Sequence, residues 1–214
     1  MFISFLVITL VFAVVNWWAA QTGNKPWEYA FKPLTMVALI AATLAITDPA
    51  SSSAHGSGAR IAMVIGLALS LLGDIALMLP GRYFIQGLAA FLLAHIAYIV
   101  ALALFGLSWP GVALGVVFVV VAAGMIAPRI VRGARSEDPR MGAAVTVYLS
   151  VISLMVIAAF GTGSVWAIPG AVLFYASDGC IGWDKFVKEL PYRHLLVMVT
   201  YHLGQIGLVL SLAL

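Results

Sequence analysis

Charge is what this sequence has least of. Only 9% of its 214 residues are Asp, Glu, Lys or Arg, against 64% hydrophobic, and the mean hydropathy is +1.11. A soluble domain of this length needs about 25% charge to cover its surface, so the shortage excludes an ordinary globular enzyme or binding module. Cysteine is nearly absent too. Cys180 stands alone, which rules out an intrachain disulfide. No close-spaced histidine motif of the H-x-x-x-H kind occurs, and no apolar stretch alternates as barrel strands do. The net charge of +3 does not argue for a nucleic-acid partner, because its source is the placement of basic residues in loops.

What is present is a series of long apolar runs, each near the roughly 20 residues that cross a bilayer as a helix. Eight are expected. The first is Phe2 to Ala20, which has no basic residue ahead of it and ends in Asn16, Trp17 and Trp18. It reads as a retained anchor with an interfacial belt, not a signal peptide. The others are Pro33 to Thr47 (extendable through Ala30 and Phe31), Arg60 to Leu79, Phe84 to Leu107, Gly111 to Ala127, Met141 to Phe160, Val165 to Ile181 and His194 to Leu212. A Ser, Gly and Pro-rich loop from Asp48 to Ala59 separates the second and third. Pro80-Gly81, Trp109-Pro110 and Gly161 to Ser164 mark turns, and "PRIVRGARSEDPR" and "GWDKFVKELPYR" read as polar connections. The expected fold is therefore a single all-α transmembrane domain, a bundle of eight helices over residues 1–214.

Loop charge gives an independent count. With eight spans, one side of the membrane holds Lys25, Lys32, Arg82, Arg129, Arg132, Arg135, Arg140, Lys185, Lys188 and Arg193, and the other holds Arg60 alone. Basic residues in short loops stay in the cytoplasm, which places both termini outside. Short loops and Ala/Val-rich spans point to a bacterial inner membrane.

Ionisable groups inside spans are costly, on the order of 2.5–3.5 kcal/mol at a helix centre, and mark function. Asp74 and Asp178, 104 residues apart, come to the same membrane side. His95 and Tyr98 share a face of the fourth span with Gly87 and Phe91, and Tyr201, His202 and Gln205 lie in the eighth. Lys32 begins the second. Each has a plainer reading. Asp178 sits near interfacial water, either acid pairs structurally with Lys32 or Arg82, and a lone histidine or Gln205 bridges helices. Together, two carboxylates, one or two imidazoles and a lysine form a set in which one carboxyl stays neutral and the other ionised, dividing acid from base. A metal held by His95, His202 and an aspartate is a rival, but the histidines lie about six to eight Å deeper than the acids on helix rise.

Seven segments occur in order over nearly the whole chain after the first span. They are "FKPLTM" at 31–36, "SLLGDIALMLP" at 70–80, "GLAAFLLAHIAYI" at 87–99, "YLSVISLMVIAAF" at 148–160, "GAVLFYASD" at 170–178, "KF" at 185–186 and "YHLGQIGLVLSL" at 201–212. In this combination the sequence resembles the YhhN-like lysoplasmalogenase family of multi-pass membrane proteins. The resemblance implies about eight helices and hydrolysis of the vinyl-ether bond of lysoplasmalogens to a fatty aldehyde and a glycerophospho-base. It implies a lysophospholipid partner and requires no metal or organic cofactor. In the reading that follows, Asp74 and Asp178 act as acid and carboxylate, with His95 or His202 orienting one of them or relaying the proton. Lys32, Lys185 and Arg82 hold the lipid phosphate. Tyr98, Tyr175, Ser177, Tyr201 and Gln205 complete the substrate contacts, and the alkyl chain lies among Phe91, Phe174 and Met155.

Two other classes remain. Paired intramembrane acids are a mark of aspartyl intramembrane proteases, but Gly73-Asp74 and Ser177-Asp178 depart from the Gly-x-Gly-Asp and Tyr-Asp elements those require. A transporter or lipid-binding protein would use the acids to carry protons or cations. It would be expected to show inverted repeats and helix breaks within spans, and neither is evident here.

Overall fold

The computed structural model describes residues 1–47, 56–79 and 83–214, and these are helical throughout apart from short connections. Among them are eight helices: α1 (Phe2–Thr22), α2 (Lys25–Leu44), α3 (Gly56–Met78), α4 (Phe84–Ala103), α5 (Trp109–Glu137), α6 (Pro139–Thr162), α7 (Ala167–Phe186) and α8 (Arg193–Ala213). Arg82, Pro80, Gly81 and most of the Ser/Gly-rich loop lie outside the described residues.

Neighbours in sequence pack as hairpins, α1 with α2, α3 with α4, α5 with α6 and α7 with α8; α4–α6, α2–α3, α6–α7, α5–α7 and α1–α8 contacts join them. The hairpins have local causes. Gly23 takes the left-handed conformation (φ 70°) that ends α1, and Asn24 follows before Pro26 sits in the first turn of α2. Asp138 ends α5 and caps α6, its carboxylate accepting from the Arg140 backbone N–H at 2.9 Å, with Pro139 at the first helical position.

Among the described residues six helices are long and apolar enough to cross a membrane: α1, α3, α4, α5, α6 and α8. Helices α2 and α7 are not. The reason is their charge: Lys25, Glu28 and Lys32 on one, Asp178, Asp184 and Lys185 on the other. The eight-helix count is as the sequence led us to expect, while the boundaries shift. Helix α2 begins at Lys25, α3 begins at Gly56, α4 stops at Ala103 and α7 runs on to Phe186.

The larger correction concerns α5. It does not end at Ala127 but continues for ten residues through the Arg-rich segment expected to be a loop. Ile130 and Ala134, one turn apart, are fully buried and form a small second core with Val145, flanked by Met141, Leu149, Trp183 and Phe186. Pro128 is tolerated inside the helix. Beside it, the Arg129 guanidinium donates to the Met125 carbonyl at 2.7 Å.

Close approach of α7 and α8 rests on glycine. A Cβ on Gly204 would meet the Phe174 backbone nitrogen at 2.8 Å, and one on Gly170 the Leu208 nitrogen at 2.8 Å. Such small-residue contacts are how membrane helices pack when water supplies no driving force between them. They seat Phe174 at the centre of the bundle, where it is fully buried.

Candidate active site

Asp74, in the last turns of α3, is 1% exposed. Lys32 Nζ of α2 lies 3.1 Å from its Oδ1, and the Tyr201 hydroxyl of α8 donates to Oδ2 at 2.7 Å. Three helices thus meet on one carboxylate. A buried lysine and a buried aspartate are each tolerable only because the other is there. The pairing with Lys32 was one of the two structural partnerships open from sequence.

Asp178, in the second half of α7, has a different setting. Its Oδ2 is hydrogen-bonded by the Tyr148 hydroxyl of α6, and His95 Nε2 of α4 stands 3.8 Å away, beyond direct hydrogen-bond reach. No lysine or arginine among the described residues lies within ion-pair distance of it. A negative charge on this largely buried carboxyl would therefore have no cation to offset it. The two acids therefore differ in kind: one ion-paired, one hydrogen-bonded only to a phenol.

A layer of rings separates them. Phe174 packs against His95 (4.8 Å between centroids) and Tyr201 (5.3 Å), Phe91 against Tyr201 (5.9 Å), and His95 edge-on to Tyr148 (5.4 Å). A Cβ on Gly73 would meet the Phe91 ring at 2.6 Å, so the glycine preceding Asp74 is what lets α4 bring that ring in.

Two hollows border the acids. The first is a narrow, almost wholly apolar slot of about 50 Å³, walled by Leu88, Phe91, Val145, Leu149 and Phe186, with Asp178 and Tyr148 as its polar groups. The second is wider, about 340 Å³, and charged: Lys25, Glu28, Lys32, Lys185, Arg193 and His194 line it. Leu77, Phe84 and Ile181 belong to both walls, so the hollows adjoin. Lys185 Nζ lies over the Phe84 ring at 4.5 Å.

Of the other residues singled out from sequence, His202 accepts at Nδ1 from the Trp17 indole N–H at 3.1 Å and lies beside Tyr201, without touching either carboxylate. Tyr98 donates to Gln205 Oε1 at 2.8 Å and is 3.0 Å from the Ser70 hydroxyl, a buried strut between α3, α4 and α8. Ser177 donates to the Val197 carbonyl at 3.2 Å, and Tyr175 lies 3.3 Å from the Ser153 hydroxyl. Phe91 walls the slot, whereas Phe174 and Met155 are sealed in the core. Sequence reasoning missed Tyr148, Glu28 and Arg193. Tyr148 opens one of the segments that carries the family resemblance, yet nothing in the sequence shows which face of α6 meets Asp178. Among the described residues no group of three or more His, Cys, Asp or Glu side chains converges as a metal site would.

The sequence profile of the YhhN family matches residues 27–212. Human lysoplasmalogenase TMEM86B is 34% identical over 149 residues, covering 68% of this chain and 60% of its own length. Lysoplasmalogenase of Mycobacterium tuberculosis is 34% identical over 178 residues, 78% of this chain and 62% of its own. Lysoplasmalogenase TMEM86A of Bos taurus is 31% identical over 171 residues, 73% and 66%. The chain thus matches between 60% and 66% of the length of these three relatives. No solved structure matches.

Proposed function

Because the chain belongs to the YhhN family, we propose that it is a membrane-embedded hydrolase that cleaves the vinyl-ether bond of lysoplasmalogens. The products are a fatty aldehyde and a glycerophospho-base. The observation that carries this reading is the adjoining pair of hollows, an apolar slot holding Asp178 and a cationic one beside it. A lysolipid has the matching halves, with its reactive enol ether at their junction.

The chemistry follows from the unlike settings of the two acids. Asp178, neutral, gives its proton to the alkenyl carbon once removed from the ether oxygen. The double bond becomes a single bond, and positive charge spreads over the neighbouring carbon and the oxygen. Asp74, held ionised by Lys32, stabilises that oxocarbenium through space, and the ring layer keeps the field strong by excluding water. Water then adds to the cationic carbon and returns a proton to the Asp178 carboxylate. The hemiacetal collapses by breaking its carbon–oxygen bond to glycerol, releasing aldehyde and alcohol. One water is consumed and the acid is regenerated.

Tyr148 orients the Asp178 carboxyl, and Lys185 takes the lipid phosphate, with Lys32 held beside it in the same hollow by Asp74. Asp74 lines neither hollow, so its role is that of a fixed counter-charge and anchor for Lys32. The basic end of the bundle faces the cytoplasm of a bacterial cell, with α2 and α7 completing the eight spans and both termini outside. The test is aldehyde release by purified protein given lysoplasmenyl-ethanolamine or -choline. Release that is lost in Asp178→Asn supports the reading. No release from folded wild type with either head group overturns it, and a transporter would give that result.

A further inference from the structure

Among the described residues the wider hollow is lined by four Lys or Arg cations, and three of them already have an acid. Lys32 is paired with Asp74 at 3.1 Å, Arg193 with Asp184 at 2.6 Å and Lys25 with Glu28 at 2.6 Å. Lys185 has no carboxylate within ion-pair distance among the described residues and rests on the faces of Phe84 and Phe186. Among the described residues it is the cation left open to an incoming anion.

The same hollow contains one carboxylate of its own. Glu28 is 7% exposed, on the turn of α2 before Lys32. A buried acid beside a phosphate site works against phosphate binding unless the ligand also carries a positive charge. The partner Glu28 now has is such a charge: Lys25 Nζ at 2.6 Å, at the end of a side chain that is 52% exposed. His194 Nδ1 stands at 4.0 Å from the other oxygen. A carboxylate fixed in the wall, with a primary ammonium delivered from outside on a long, solvated chain, is a docking arrangement already filled from within the molecule.

We propose that this hollow reads a zwitterion: Glu28 takes the primary ammonium of an ethanolamine head group, displacing Lys25 into water, while Lys185 takes the adjoining phosphate. The assignment rests on the lysolipid reading above and names the specificity residue of that site. A primary ammonium offers three N–H donors to Glu28, whereas trimethylammonium offers none. Quaternary ammonium groups are held by aromatic cages, and the nearby Phe84 face is taken by Lys185. Ethanolamine is therefore preferred over choline, and both over an anionic phosphoglycerol head, which Glu28 repels.

Binding of non-hydrolysable saturated-ether lysolipids to the full chain in nanodiscs tests this, comparing phosphoethanolamine, phosphocholine and phosphoglycerol heads. Wild type should bind the ethanolamine lipid about tenfold more tightly than the phosphoglycerol lipid, the value of one charge-assisted contact. Glu28→Gln should remove that preference by weakening only the zwitterions. Lys25→Ala, which frees Glu28 of its competitor, should tighten ethanolamine binding. Equal affinities in wild type, uniform weakening of all three lipids by Glu28→Gln, or weaker ethanolamine binding in Lys25→Ala would overturn the proposal. Vinyl-ether congeners added to the same samples separate the two readings. Head-group selection without aldehyde release sinks hydrolysis alone, and release without selection sinks Glu28 alone.

Discussion

Lys32 and Asp74 are both buried, and each is the other's only opposite charge within ion-pair reach among the described residues. Replacing one leaves the other bare in the bundle, at a cost of about 3–5 kcal/mol. Asp74→Asn should therefore lower the heat-denaturation midpoint in detergent sharply, and Lys32→Met/Asp74→Asn should restore part of it. Both should lack activity, which separates the charge's structural role from its chemical one. Asp178→Asn differs, because no cation depends on it and the amide oxygen still accepts from Tyr148. Its midpoint should stay near wild type while aldehyde release falls about 10²–10⁴-fold, the usual worth of a general acid. Tyr148→Phe should cost about tenfold in release at constant midpoint, consistent with one hydrogen bond of modest net strength. The two acids were legible in the sequence because charge in an apolar run is conspicuous, and Lys32 was legible as a partner because it enters at the same depth. Tyr148 and the Trp17–His202 bond were not. A tyrosine or tryptophan near a span end has an interfacial reading of its own, and only the rotation of α6 and α1 about their axes decides which neighbour it meets.

At the scale of helices, the elements that carry the most chemistry are the ones that hydropathy reads least well. Helices α2 and α7 fall short of a span by composition because they supply Lys32, Glu28, Asp178 and Lys185. The sequence still marked them as helices, since an apolar half and a terminating loop frame each one. The Arg-rich end of α5 was misread for the converse reason. Its charges face outward and conceal the buried Ile130 and Ala134 that bind it to α6 and α7. Glycine on α8 sets how deeply Phe174 can lie, and this is testable. Gly204→Val forces α8 away from the Phe174 backbone and should destabilise by about 1–3 kcal/mol as overpacking does. Release should fall with it, since Phe174 supports both His95 and Tyr201. Gly124→Ala is the contrast. A Cβ there meets nothing within 4 Å, so thermal stability should rise by about 0.5–1 kcal/mol, the helix-interior cost of glycine.

For the molecule as a whole, the hairpin order brings the described basic residues other than Arg60 to one end, and both hollows lie at that end. Charge bias and substrate access are thus one question. On the proposed function, if basic loops are retained in the cytoplasm, lysolipid would enter from the inner leaflet with its phosphate already at the level of Lys185. Arg60, at the opposite end, donates to the Ile46 carbonyl and so serves to tie α3 to the end of α2. The orientation has a direct test in a background where Cys180→Ser removes the one native thiol. Ser136→Cys lies at the basic end of α5, and Val165→Cys lies in the turn before α7; both positions are exposed. A membrane-impermeant maleimide applied to intact cells that produce the protein should label Val165→Cys and spare Ser136→Cys, and lysis should expose both. The reverse pattern would turn the bundle over and place the site on the outer leaflet. The proposed hydrolysis would then act on lipid reaching the cell from outside, with the same residues and the same chemistry.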